Sequence, residues 1–229
     1  MNGKIVLVTG ANGGLGTFVT RAFLDAGATV AGTSLSIRQN AFDGTNFTAL
    51  SANISKVEDA KRLVEEIVRK FGKLDVLAHT VGGFAGGQSV AETDDATLQR
   101  MLDMNLNATF HILRAAIPAL VRNADSRIIA ISSRQALEPG KNVGAYSASK
   151  AAMVSLIQTV ALENKDKGLK ANVILPGTMD TPANRQAMPK ADFTKWVQPS
   201  SVASLMVWLA GDAGRDVNGA VIPVYGPEG

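Results

Sequence analysis

The chain has 229 residues, of which 46% are hydrophobic and 19% charged, with 22 glycines, no cysteine and a net charge of +3. A charged fraction below the usual ~25% excludes disorder as the main state. The missing cysteines exclude disulfides, zinc–thiolate sites and thiol catalysis, and so small a charge surplus leaves no electrostatic footprint for nucleic acid.

Aromatic residues make up only 5% of the chain, which argues against the stacking platforms of single-strand binders. Glycine-rich, aromatic-poor composition suits an α/β enzyme with many tight strand-to-helix turns. The apolar run at residues 5–8 is too short for the core of a signal peptide, and no run approaches the ~18 apolar residues of a membrane span. The expectation is a soluble cytoplasmic protein, with no membrane or nucleic-acid partner and no metal site.

Strand and helix signals alternate along the chain. Residues 5–8 read as a first strand, followed by a glycine turn and a helix over 15–26 that Gly27 stops. Residues 28–33 and 47–50 are the next strands. Ser55-Lys56-Val57-Glu58 reads as a capping box. The helix behind it carries Val57, Ala60, Leu63, Val64, Ile67, Val68 and Phe71, a stripe of helical period, and Gly72 ends it. A strand at 74–78 precedes helical sequence over 94–121. A strand at 127–131, a long helix over 143–166 and a strand at 170–175 follow. Residues 176–199 are irregular and punctuated by proline, 200–210 are helical, and 220–224 form a last strand. Continuously apolar strands separated by helices mean a parallel sheet buried on both faces. The expected architecture is one doubly wound Rossmann domain over 1–229, a seven-stranded parallel sheet flanked by helices on both faces.

Thr9-Gly10-Ala11-Asn12-Gly13-Gly14-Leu15-Gly16 joins the first strand to the first helix. Free amides at such a helix start face an anion. Gly10 takes the turn, Gly14 lets a pyrophosphate approach the backbone, and Gly16 lets the helix pack closely. The alternative is a glycine-rich turn with no ligand; the flanking strand and helix favour a dinucleotide. Tyr146 and Lys150 lie four apart at the start of a helix and share a face. A lysine cation nearby is expected to lower the tyrosine pKa from its ordinary ~10, which suits acid–base work. Ser133 follows a strand, at the sheet edge where ligands bind.

Together these residues resemble the short-chain dehydrogenase/reductase family over nearly the whole chain. The match rests on Thr9-Gly10 with Gly14 and Gly16, Met104-Asn105-Leu106, Ser133, Tyr146-Ser147-Ala148-Ser149-Lys150, Pro176-Gly177 with Thr181, and Asn218-Gly219-Ala220-Val221-Ile222-Pro223-Val224. The resemblance implies a catalytic tetrad of Asn105, Ser133, Tyr146 and Lys150. Tyr146 exchanges the proton with the substrate oxygen and Ser133 orients that oxygen. Lys150 holds the nicotinamide ribose and biases Tyr146. Asn105 holds a helix kink and a water that relays protons to Lys150. Cofactor contacts are expected from Gly10, Asn12, Gly13, Gly14, Leu15, Gly16, Ser34, Arg38, Asn53, Ile54, His79, Val81, Gly82, Tyr146, Lys150, Pro176, Gly177 and Thr181.

Three positions depart from the family pattern. His79-Thr80-Val81-Gly82 stands for its N-N-A-G, Asn53 for an aspartate, and Tyr225 for an aspartate near the end. His79 reads equally as a cofactor contact or a structural histidine, and His111 reads as structural. After the second strand, residues 34–38 hold Ser34, Ser36 and Arg38 and no acid, which favours NADP(H) over NAD(H).

Residues 176–199 are expected to cover a small-molecule substrate. Phe84, Met179, Met188, Phe193 and Trp196 are candidates for an apolar pocket; Phe193 and Trp196 read equally as pins of the loop to the core. This segment, and Gly82-Gly83-Phe84-Ala85-Gly86-Gly87, are also similar to the quinonoid dihydropteridine reductases of the same family. The expected activity is NAD(P)H-dependent interconversion of a carbonyl and an alcohol. The alternatives are a pterin reductase and a non-catalytic dinucleotide sensor. Apolar residues around the helix over 143–166, among them Ala151, Ala152, Val154 and Leu156, point to a homo-oligomer, a dimer or a tetramer.

Overall fold

The computed structural model describes residues 1–228. Seven strands form one all-parallel sheet: β1 (Ile5–Thr9), β2 (Thr29–Thr33), β3 (Phe47–Ala49), β4 (Val76–His79), β5 (Ser126–Ile131), β6 (Leu169–Pro176) and β7 (Val221–Val224). Their order is β3-β2-β1-β4-β5-β6-β7. The apolar runs explain the arrangement: β1, β4 and β5 are buried at every position, as strands covered on both faces must be.

Helices α2 (Val57–Phe71), α4 (Ala108–Leu120) and α5 (Gly144–Glu163) cover one face, where Leu7, Leu77 and Ile128 are fully buried. Helices α1 (Gly16–Asp25) and α7 (Pro199–Ala210) cover the other, over Val6, Val30 and Ile129. Each such buried aliphatic side chain contributes about 1.5–3 kcal/mol, so the sheet centre anchors the fold. Thr9 lies opposite both Thr33 and His79. The strands therefore finish level at one edge, and the chain reverses between β1 and β4, the place where open α/β sheets bind ligands.

Two local expectations change. The capping box at 55–58 does not form: Lys56 is the N-cap of α2, with no side-chain bond to the helix. Asn53 instead accepts the Ser55 amide on Oδ1 at 3.1 Å, and Asp59 accepts the Asn53 amide at 3.2 Å. A short side chain folded onto its own backbone competes with the cap. The expected helix over 94–121 is not uniform. Asp94 caps α3 (Asp95–Met101) by accepting the Thr97 amide at 2.7 Å. Leu102–Asn107 is then a π turn before α4 begins. Such turns insert one residue and cluster at functional sites. The helix expected over 143–166 ends at Glu163. Buried Asp75, unremarked in the sequence, accepts the Ile5 amide at 2.7 Å and pairs with Lys73 at 2.9 Å. It thereby joins the starts of β1 and β4.

Candidate active site

The turn after β1 is built for close approach. Gly10 has φ +71°, and its amide donates to the Thr33 carbonyl at 2.7 Å, tying the turn to β2. A Cβ on Gly16 would lie 1.8 Å from the Gly10 carbonyl oxygen, so only glycine lets α1 start that near the turn. A Cβ on Gly14 would meet Thr181 at 3.2 Å. Thr181, after β6, caps α6 (Pro182–Ala187) through its hydroxyl. The first amides of α1 have no intrahelical partner and carry the positive end of the helix dipole. Gly13 and Gly14 are exposed, whereas Leu15 is buried in the core. The Gly13 amide is taken by the Gly10 carbonyl at 2.9 Å and the Thr17 amide by the Gly13 carbonyl at 3.0 Å, so what fits a pyrophosphate is the exposed backbone at Gly13 and Gly14, bare of side chains, with the helix dipole behind it.

The second cluster comes from β5, α5 and the π turn. Ser133 follows β5, accepts the Gln135 amide at 3.2 Å and lies next to Tyr146. Burial pushes the Tyr146 phenol above its ordinary pKa, and the neighbouring Ser133 hydroxyl opposes the shift. The expected lowering by Lys150 is not seen. The Lys150 ammonium is buried and donates to the Ile131 carbonyl at 3.1 Å. Burial lowers its pKa to about 8.

Asn105 lies in the π turn and is fully buried. Its Oδ1 accepts the Gly83 amide at 2.9 Å, and its Nδ2 donates to the Gly83 carbonyl and to Ser149 Oγ, both at 3.0 Å. Ser149 in turn donates to the Tyr146 carbonyl at 2.7 Å. A Cβ on Gly82 would stand 2.9 Å from both Asn105 Oδ1 and Lys150 Nζ. That cradle, open because residue 82 is glycine, lies beside the buried ammonium and fits a polar cofactor group. Sequence spacing had joined Tyr146 to Lys150; the fold adds Ser149 and Gly83 as the groups that hold Asn105.

Other candidate positions divide. Val81 packs beside Gly10, since a Cβ there would lie 3.3 Å from Val81 Cγ2. Asn12 is exposed, with its amide 3.4 Å from Ser36 Oγ. Ser34 accepts the Ser36 amide at 3.3 Å, and Arg38 is exposed beyond it. Pro176 and Gly177 continue β6 at the same edge, where the Gly177 amide donates to Val224. Asn53 is half-buried with Oδ1 taken up locally, and Ile54 is core. His79 is corrected as a side-chain contact to cofactor. It is fully buried, and both ring nitrogens are bonded to threonine hydroxyls. His111 is half-buried on α4, away from this edge.

Among the expected substrate residues, Phe84 does reach the cluster. It is 67% exposed, and its ring stands edge-on to Tyr146 at 5.0 Å. Met188 is exposed on the loop. Trp196 is corrected to a pin: it is buried, with the Phe193 ring tilted against it at 4.7 Å. Met179 likewise packs into the layer under α1 and α7. Residues 176–199 are less irregular than expected, since they contain α6 and a Met179–Val197 bridge. Tyr225 stands where the family pattern has an aspartate. Its ring lies under the Arg134 guanidinium at 4.5 Å, and Arg134 pairs with Glu138 at 2.7 Å.

The family model for short chain dehydrogenases matches residues 4–192. The chain belongs to the short-chain dehydrogenase/reductase family. It is 30% identical to the L-rhamnose-1-dehydrogenase of Scheffersomyces stipitis, over 99% of this chain and 96% of that one. It is 26% identical to a 3-oxoacyl-(acyl-carrier-protein) reductase of Thermotoga maritima, over 99% and 98%. Among solved structures, a blue fluorescent protein from a metagenomic library in complex with NADPH superposes with a TM-score of 0.88, at 28% identity over 98% and 97%. This short-chain dehydrogenase/reductase is therefore an NAD(P)-dependent oxidoreductase acting on a small molecule. No helix among its described residues is long and apolar enough to cross a membrane.

Proposed function

We propose that this enzyme interconverts a carbonyl and an alcohol, with Tyr146 as the group that exchanges a proton with the substrate oxygen. The observation that carries the reading is the placement of Ser133 beside a half-buried Tyr146, whose ring stands edge-on to the exposed Phe84 at 5.0 Å. A bound nicotinamide cofactor supplies the hydride for reduction and accepts it in oxidation. Ser133 and Tyr146 hold the substrate oxygen between two hydroxyls. Tyr146 gives that oxygen its proton in reduction and takes it back in oxidation. A raised phenol pKa keeps Tyr146 protonated at neutral pH, which favours the reductive direction. Lys150 would hold the cofactor ribose beside Gly82, Asn105 would hold the helix kink and a water that relays protons to Lys150, and residues 176–199 cover the substrate. Turnover of ketones, aldehydes, quinones and pterins with NADPH and NADH tests the reading; an enzyme that reduces no carbonyl ends it. Ser133, a serine that pterin reductases of the family lack, stands beside Tyr146 and weighs against the pterin-reductase alternative.

NADP(H) is the proposed cofactor. No acidic side chain lies between Thr33 and Asp43 to repel a 2′-phosphate, and Ser34, Ser36 and exposed Arg38 can donate to one. Arg38→Ala should weaken NADPH by roughly 10-fold, a charged hydrogen bond's worth, and leave NADH unchanged in fluorescence titration. Equal loss for both would make Arg38 a bystander.

Self-association is proposed through α4 and α5. Val154 is core, but Ala148, Ala151 and Leu162 are exposed on α5, as are Met104 in the π turn and Phe110 at the start of α4. An apolar face of this kind marks an interaction surface. Sedimentation at micromolar concentration should give a dimer or tetramer, and a monomer would refute it.

A further inference from the structure

A chain of buried hydrogen bonds runs from the phosphate turn to the π turn, and His79 is its centre. His79 Nδ1 lies 2.8 Å from Thr9 Oγ1, and Nε2 lies 2.9 Å from Thr109 Oγ1. Thr109 Oγ1 donates to the Asn105 carbonyl at 2.5 Å, which uses its one proton. It must therefore accept from His79, so Nε2 carries the ring hydrogen. Nδ1 is then an acceptor, and Thr9 donates to it. Thr9 Oγ1 also accepts the Thr80 amide at 3.2 Å, while Thr80 Oγ1 donates to the Thr9 carbonyl at 2.7 Å. Thr80 Oγ1 stands 3.0 Å from where a Gly10 Cβ would be. Every polar atom of the ring is satisfied in one tautomer. Burial, and then the charge of Lys150, lower the pKa of His79 to about 3. The ring is therefore neutral and does not carry protons in the reaction; its role is geometric.

We infer that His79 is a positioning residue: by bridging Thr9 of β1 to Thr109 of α4, it fixes the π turn and holds the Asn105 amide against Gly83 and Ser149. Asparagine could not span both hydroxyls from the same backbone position, because its amide is shorter than an imidazole. The departure from the family pattern at residue 79 is thus matched by Thr9 and Thr109, one hydroxyl on each side. The inference rests on the proposed catalytic role of Asn105, but its structural half does not.

Thr109→Val keeps the shape and removes the hydroxyl; Thr109→Ser keeps the hydroxyl. His79→Phe keeps a ring and removes both nitrogens. In Thr109→Val and His79→Phe, hydrogen exchange of the Gly83 amide should accelerate while the β4 amides stay protected. Turnover should fall roughly tenfold, the worth of one buried hydrogen bond, with little change in substrate KM. Thr109→Ser should restore both. Should His79→Phe fail to fold, the two Thr109 variants carry the test. Unchanged Gly83 exchange in folded Thr109→Val overturns the inference outright. Faster exchange with unchanged turnover overturns the positioning role in catalysis. A wild type that reduces no carbonyl counts instead against the proposed function, and the exchange measurement then decides the inference alone.

Discussion

Tyr146→Phe is expected to lower carbonyl turnover by roughly 10²–10⁴-fold, the usual contribution of a positioned acid–base group. Only the hydroxyl is lost, and Phe84 keeps its edge-on contact with the ring. Folding and dinucleotide affinity should therefore persist. The wild-type pH profile follows from the same phenol. Burial raises its pKa, so reduction, which needs the phenol, should hold level across neutral pH. Oxidation needs the phenolate and should climb into the alkaline range. Ser133→Ala should slow ketone reduction less than Tyr146→Phe does, since Tyr146 still holds the oxygen. If Tyr146→Phe retains full activity on every substrate, the mechanism is wrong.

Lys150→Met should lower turnover and weaken dinucleotide binding by roughly 10–100-fold, the worth of a charged hydrogen bond, yet make the protein more stable at pH 7. The ammonium is buried and donates to the Ile131 carbonyl, with Asn105 Oδ1 across the Gly82 cradle. Its pKa falls from 10.5 to about 8. Below about 8 both folded and unfolded chains carry the proton, and the penalty for burying the charge is fully present. Between about 8 and 10.5 the unfolded chain binds a proton that the folded one has lost, so wild-type stability rises with pH there. The advantage of Lys150→Met, on the order of 3 kcal/mol at ~1.36 kcal/mol per pKa unit, should shrink above pH 8 and vanish above about 10.5. Melting temperatures of both proteins across that range check it. A variant less stable than wild type at pH 7 would show that the methylene stem, and not the charge, dominates.

The sheet was legible in the sequence because its signals are local. Runs such as Ile5–Thr9 and Ser126–Ile131 are apolar throughout, and a strand buried on both faces needs that. The glycine turn was equally plain, since Gly10 and Gly16 answer steric demands made within a few residues: a positive φ, and a contact that leaves no room for a Cβ. Tyr146 and Lys150 share a helix face by spacing alone. Other features depend on partners distant in the chain. The capping box at 55–58 had the right letters, but Asn53 and Asp59 took the bonds. Trp196 became a pin because burial, which no local pattern encodes, put Phe193 on it. The π turn at Leu102–Asn107 has no periodic signature; it stands because Asn105 finds Gly83 and Ser149, 22 and 44 positions away. His79 could be read two ways until Thr9 and Thr109 stood on either side of it, 70 residues before and 30 after. Lys150 was expected to act on Tyr146 by charge; the depth at which α5 packs sends its ammonium to Ile131 instead and leaves burial to set both pKa values.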